Sequence, residues 1–264
     1  MKLNFFKYQG TGNDFIMVDN RTSVLTKNDT NLIRSLCDRR FGIGADGLIL
    51  LENSPSEGED FKMIYFNADG NESSMCGNGG RCIVAFAKYL GIITKEAAFG
   101  AIDGFHKAVI DDDLVGLKMT EVKRISETGS AFFLNTGSPH HVIFSDEVKG
   151  IDIQKEGSAV RYSPEYKSKG GTNVNFVSAL DTASFNVRTY ERGVEAETLS
   201  CGTGVTASAL AAYHSGRTTS TIVKLITPGG ELTVSFKPSA AGFEDIWLTG
   251  PAKQVFKGEI ECNL

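Results

Sequence analysis

The chain has 264 residues, 41% of them hydrophobic, enough to bury a substantial core in one large domain or two modest ones. Its 27 basic and 32 acidic residues are well mixed and sum to a net charge of −5, which leaves no basic footprint for nucleic acid or an anionic membrane surface. No window approaches the roughly 20 apolar residues of a membrane span, and residues 1–20 lack the apolar run of a secretion signal, so a soluble, cytoplasmic protein is expected.

In chain order, β-branched and aromatic runs predict strands over 4–8, 15–19, 47–51 and 61–66, with a helix over 29–39 among them. A helix over 77–90 follows. Strands are then expected over 131–134 and 141–144, a helix over 151–157, and strands over 172–178 and 184–189. A helix over 202–215 precedes the last strands, at 222–227, 231–236 and 245–249. Many strands with few helices read as a mixed α+β chain. The polar stretch 122–130 is the best candidate for a domain boundary.

Five cysteines, Cys37, Cys76, Cys82, Cys201 and Cys262, are an odd number in a chain without a secretion signal, which argues against a disulfide framework. No two of them form a C-x-x-C pair, and His140-His141 is the only close histidine pair, so no metal site is expected. Two of the cysteines share a context. FNADGNESSMCGNGGRCIVAFAKYL at 66–90 and YERGVEAETLSCGTGVTASALAAYHS at 190–215 each run from a strand through an acidic loop into Cys-Gly-x-Gly and a small-residue helix. Upstream, the run from Gly12 to Ile16 resembles Thr172 to Phe176. The cysteines lie about half the chain apart, so the sequence reads as two homologous lobes whose helix N-termini can face a common cleft.

The glycines of CGNGG and CGTGV permit a tight turn, and the residues after them start a helix. First-turn N–H groups and the helix dipole form an anion site of carboxylate size. The same position stabilises a thiolate. Two such turns acting on one carbon provide a base on one face and an acid on the other, which inverts a stereocentre. Cys82 lies inside the helix and is assigned to packing.

At these residues the sequence resembles the diaminopimelate epimerase family. The likeness runs through KYQGTGNDFIMVD (7–19), FGIGADGLILLE (41–52), FNADGNESSMCGNGGRC (66–82), NTGSPHHV (135–142), GTNVNFV (171–177), ERGVEAETLSCGTG (191–204) and VFKGEI (255–260). The resemblance implies an α+β fold of two pseudo-symmetric lobes from an internal duplication, each a barrel-like, mainly antiparallel sheet curled around a central helix. Residues 1–128 plus 253–264 would carry Cys76, and 129–252 would carry Cys201. It also implies an isomerase that interconverts LL- and meso-diaminopimelate in lysine and peptidoglycan precursor synthesis, without pyridoxal phosphate, any other cofactor or a metal, and acting as a homodimer.

Carried over position by position, Cys201 is the base that deprotonates the LL substrate and Cys76 the acid that reprotonates it. Gly77-Asn78 and Gly202-Thr203 match the backbone donors for the reacting carboxylate. Asn13, Asn67, Asn173, Glu191 and Arg192 match the residues that grip the substrate, largely at its far end. Arg192 suits a carboxylate and Glu191 an ammonium. His140 and Glu191 match positions that adjust the cysteines. The chain departs from the family pattern at Ser138, where asparagine is usual, so a shorter, water-mediated or absent substrate contact is expected. It departs again at Gly47, where some members carry glutamine.

Three readings compete with this one. Another cofactor-independent isomerase of the same fold, proline racemase-like or phenazine-type, offers less use for Glu191 and Arg192. A redox or binding protein with a reversible Cys76–Cys201 disulfide belongs to a different class. A catalytically dead paralogue conflicts with the intact motif at both turns.

Overall fold

The computed structural model describes residues 2–262. The chain divides into two units, Met1–Leu117 rejoined by Gly250–Leu264, and Lys118–Thr249. Residues 1, 263 and 264 of the expected limits lie outside the described residues. The division falls before the expected 128/129 and 252/253 limits, because the polar connector is already hydrogen-bonded into the second unit. Met119 N–H donates to the Ile246 carbonyl at 2.8 Å, and Val122 exchanges backbone bonds with Phe243. Polarity there marks solvent exposure, and the backbone pairing continues through it.

In the first unit, β1 (Lys2–Gly10) and β2 (Asn13–Asp19) form an antiparallel hairpin. Helix α1 (Thr30–Cys37) starts where the Asp29 carboxylate accepts from Leu32 N–H, and it leads to β3 (Gly47–Glu52), parallel to β2. β4 (Phe61–Asn67) runs antiparallel to β3 and carries the two-residue β5 (Glu72–Ser73). Helix α2 (Gly77–Tyr89) follows. β6 (Glu96–Ala101) then pairs parallel to β4, and β7 (Gly104–Asp111) and β8 (Leu114–Lys118) continue antiparallel.

The alternation of strand side chains sorts this unit into two layers. Ile16, Val18, Leu48, Leu50, Ile64 and Phe66 pack with Ile33, Leu36 and Cys37 of α1. Each fully buried aliphatic here contributes roughly 2 kcal/mol. Their neighbours Phe15, Ile49 and Met63 point the other way, against Gly79 of α2. Helix α2 is buried on nearly every side from Gly77 to Ala87, which is why its sequence shows so many small residues.

The second unit repeats the plan. β9 (Ser126–Thr128), β10 (Ala131–Asn135) and β11 (Pro139–Phe144) pair antiparallel in that order. Helices α3 (Ile153–Arg161) and α4 (Pro164–Lys167) precede β12 (Asn173–Ala179), which lies parallel to β11. β13 (Ser184–Glu191) runs antiparallel to β12 and carries the short β14 (Ala196–Thr198). Helix α5 (Gly202–His214) follows, with β15 (Ile222–Thr227) parallel to β13 and β16 (Gly230–Ser239) and β17 (Gly242–Pro251) antiparallel after it. β18 (Lys253–Glu261) returns to pair antiparallel with β1, as β9 pairs with β10.

The match of β1–β8 with β10–β17, strand by strand and with the same parallel and antiparallel pairings, is the duplicated two-lobe α+β fold. It also corrects one expected correspondence. Asn13 heads β2, whose counterpart is β11, whereas Asn173 heads β12, the counterpart of β3. The likeness of Gly12–Ile16 to Thr172–Phe176 therefore lies one strand out of register.

Two strands that the residue pattern alone did not mark, β6 and the final strand β18 that the resemblance implied, have physical reasons for their weak signals. β6 (EAAFGA) carries no β-branched residue, and β18 is exposed along most of its length, so its apolar positions have no core face to mark. The helix expected at 151–157 begins where Asp152 accepts from Lys155 N–H and runs to Arg161.

Candidate active site

Cys76 is the N-cap residue of α2, and Cys201 is the N-cap residue of α5. Equivalent turns thus hold both sulfurs beside a helix N-terminus, where the dipole and first-turn amides favour negative charge. The remaining thiols differ. Cys82 and Cys37 are buried, and burial pushes each up to about 12.

In the first unit three residues named from the sequence come together. The Cys76 thiol donates to Asn13 Oδ1 at 3.6 Å, and Asn78 Nδ2 donates to the same oxygen at 3.3 Å. The Asn13 amide is oriented by Asp46, whose Oδ2 accepts from Asn13 Nδ2 at 2.6 Å. Asp46 is in turn held by Arg39 at 2.7 Å. The carboxylate forces the amide nitrogen toward itself and so turns the acceptor oxygen toward sulfur. Gly77 opens α2. Asn67 ends β4 opposite Gly47 and is exposed.

At Gly47, where the resemblance sets glutamine in some members, the backbone leaves no room for a side chain. A Cβ there would lie 2.5 Å from the Phe66 carbonyl and 2.6 Å from Tyr65 Cε2.

Arg81 was missed by sequence reasoning, although a cation in the apolar first half of a helix was its signal. Its guanidinium is fully buried, and burial lowers its pKa. It donates to the carbonyls of Gly77 at 3.3 Å and Pro251 at 3.4 Å, to Thr11 Oγ1 at 3.1 Å and to Asn78 Oδ1 at 3.0 Å. It fixes the first turn of α2 and aims the Asn78 amide.

In the second unit, Asn173 joins Ser138 and Arg192. Asn173 Nδ2 donates to Ser138 Oγ at 2.9 Å, while its Oδ1 accepts from Arg192 N–H at 2.8 Å. The expectation for Ser138 was a weakened substrate contact, and the contact the structure gives it is this support of Asn173. Glu191 Oε2 accepts from Thr198 Oγ1 at 2.8 Å. The loop after Glu191 turns through Glu195, whose φ is 59°. Burial raises the Glu195 pKa, but bonds from Gly193 N–H, Tyr162 and Arg161 outweigh it and bring the carboxyl down to about 2.

His140 lies inside β11 and is fully buried. Burial, with Arg192 nearby, lowers its pKa to about 3, so it is neutral near pH 7. Its Nε2 is 2.8 Å from Thr203 Oγ1, and Thr203 Oγ1 is 3.5 Å from Cys201 Sγ. Gly202 opens α5 beside them. Asn175 contacts the other ring nitrogen and was also missed. Its signal was its place two residues after Asn173, on the same face of a mostly apolar, fully buried stretch of strand.

Among the described residues, no three His, Cys, Asp or Glu side chains are grouped to hold a metal ion. No helix among them is long and apolar enough to cross a membrane.

Comparisons with known proteins bear on the family and the fold. The diaminopimelate epimerase family model matches residues 5–124 and 132–255. A diaminopimelate epimerase of Flavobacterium psychrophilum is 53% identical over 98% of this chain and 100% of its own length. One from Aquifex aeolicus is 38% identical over 98% of each. Among solved structures, a phenazine biosynthesis protein of Bacillus anthracis, PhzF family, superposes with a TM-score of 0.75 at 14% identity, over 99% of this chain and 100% of its own. A probable proline racemase of Agrobacterium radiobacter superposes with a TM-score of 0.66 at 14% identity, over 99% and 93%. At such low identity these two structures speak to the fold alone. Sequence relatives and fold together establish that the chain belongs to the diaminopimelate epimerase family.

Proposed function

We propose that the protein interconverts LL- and meso-diaminopimelate by moving a proton at the α-carbon between two cysteines, Cys76 and Cys201. The observation that carries the reading is the duplicated turn: each unit sets one cysteine at the N-cap of its most buried helix. A base and an acid of similar pKa on opposite faces of one carbon are what inversion without a cofactor needs.

Local polarity supports a division of labour. An acceptor oxygen, Asn13 Oδ1, faces the Cys76 thiol and favours its protonated form. A hydroxyl, Thr203 Oγ1, faces Cys201, which suits a thiolate. Cys201 then takes the α-proton of the LL isomer and Cys76 delivers one, and the roles exchange in the reverse direction. The first-turn amides at Gly77-Asn78 and Gly202-Thr203 hold the reacting carboxylate. Asn13, Asn67, Asn173, Glu191 and Arg192 grip the rest of the substrate, with Ser138 acting through Asn173. His140 and Glu191 tune the cysteines.

The proposal extends to a cytoplasmic homodimer. Support for the dimer lies in exposed apolar side chains of the first unit, Phe41 at 91%, Val255 and Phe256. Light scattering of the purified protein reads the oligomeric state.

The test of the activity is deuterium uptake from heavy water at the α-carbon of LL-diaminopimelate and of proline. Uptake by diaminopimelate with inversion, lost in both Cys76→Ala and Cys201→Ala, is the expected result. Exchange with proline alone overturns the reading.

A further inference from the structure

We infer that Asn175 is a positioning residue for Cys201: it fixes the direction of a hydrogen-bond chain running Thr189, Asn175, His140, Thr203 and ending at the Cys201 sulfur. The inference rests on the reading of Cys201 as the proton-accepting thiolate.

The chain is built from strand register. β12 places Asn175 directly opposite Thr189 of β13 and beside Val142 of β11. Asn175 Nδ2 lies 3.3 Å from the His141 carbonyl, which only accepts, so the amide nitrogen must point to that side. The amide oxygen then points the other way, where Thr189 Oγ1 donates to it at 3.0 Å. With the amide fixed at both ends, Nδ2 also donates to His140 Nδ1 at 3.0 Å. A neutral imidazole that accepts at Nδ1 carries its hydrogen on Nε2. Nε2–H therefore donates to Thr203 Oγ1 at 2.8 Å, and the single hydroxyl hydrogen is left to point toward Cys201 Sγ at 3.5 Å.

The helix makes room for this arrangement. A Cβ on Gly204 would lie 2.4 Å from Asn175 Oδ1 and 3.4 Å from Cys201 Sγ, so only glycine leaves the amide in place. Thr136 holds the turn from its other side by donating to the Thr203 carbonyl at 2.9 Å.

No proton leaves this chain during the reaction. When Cys201 takes the substrate α-proton, the neutral thiol sulfur goes on accepting from the Thr203 hydroxyl, more weakly than the thiolate did, while His140 keeps its hydrogen. Arg192 is the charged side chain that acts on His140. His141, the other titratable group on the strand, is engaged by Tyr166 at 2.7 Å, and Glu191 by Thr198.

The direct test needs no variant. Long-range proton–nitrogen correlation on full-length protein labelled with 15N-histidine reads which ring nitrogen of His140 is protonated. Hydrogen on Nε2 is expected, and hydrogen on Nδ1 overturns the inference. The second test follows alkylation of Cys201 by iodoacetamide against pH in a Cys76→Ala background, read on the Cys201 peptide by mass spectrometry. Asn175→Leu and Thr203→Val are each expected to slow alkylation about tenfold near pH 7 and to move the profile up by about one pH unit, as loss of one hydrogen bond to a charged group requires. Thr203→Ser keeps the hydroxyl and is expected to restore the parental profile. Unchanged profiles in both Asn175→Leu and Thr203→Val overturn the inference. If Asn175→Leu does not fold, the Val and Ser pair at 203 decides. Neither readout needs substrate, so loss of inversion in Cys201→Ala tests the underlying reading separately.

Discussion

A fully buried, neutral His140 makes the native state sensitive to acid in a window that its pKa defines. In the unfolded chain this imidazole titrates near 6.5, and in the native state burial and Arg192 hold it to about 3. Above about pH 6.5 both states carry it neutral and it contributes no pH dependence. Below that, the unfolded chain takes up a proton that the native state refuses. Stability then falls by about 1.4 kcal/mol per pH unit until the native pKa is reached. Between about pH 7 and pH 4.5 the loss is about 3 kcal/mol. Urea unfolding of the parent and of His140→Gln, in a series of buffers across that range, isolates this contribution from the other titrating groups. The parent is expected to lose about 3 kcal/mol more than the variant on going from the upper to the lower pH, with m-values unchanged. A difference between the two proteins that stays constant across the series refutes the assignment of a neutral His140, and with it the direction of the chain that reaches Cys201.

Gly204→Ala is expected to displace the Asn175 amide, costing about 1–3 kcal/mol in urea unfolding and slowing Cys201 alkylation in parallel. Arg81→Met removes the donor from four buried or partly buried acceptors. A net loss of roughly 2–4 kcal/mol is expected, because the unmet carbonyls outweigh the relief of a desolvated cation, and calorimetry measures it. Glu195→Gln loosens the loop that presents Arg192. Its side chain is 32% exposed, so the stability cost at neutral pH is about 1–2 kcal/mol after solvent screening. Because the Glu195 pKa is depressed, its contribution is present above about pH 4.5 and is lost as pH falls toward 2, a loss that the glutamine variant lacks. In steady-state kinetics this variant is expected to raise KM with kcat nearly unchanged, and a fall in kcat alone contradicts the loop's assigned role.

The sequence by itself determined the duplication, the two cysteine turns and the helices that follow them. Each of these is local: Cys-Gly-x-Gly before a small-residue run signals a tight turn and a buried helix wherever it occurs, and two copies half a chain apart signal a repeat. The family blocks carried the remaining site residues by position. Tertiary structure decided what those residues do to one another. Asn13 and Asn173, alike in the sequence, head strands that are not equivalent, because register is set by pairing across the sheet and short polar strings do not encode it. Asp46, Asn175 and Arg81 carry weak local signals, yet pairing places Asn175 between Thr189 and His140, and burial sets Arg81 beside the Thr11 hydroxyl and the Pro251 carbonyl, both far away in the chain. The sequence gives the two turns nearly the same motif. Only the fold gives their sulfurs neighbours of opposite polarity, an amide oxygen at Cys76 and a hydroxyl at Cys201, because a hydrogen bond's direction is fixed by the second partner of each group, and those partners arrive on other strands.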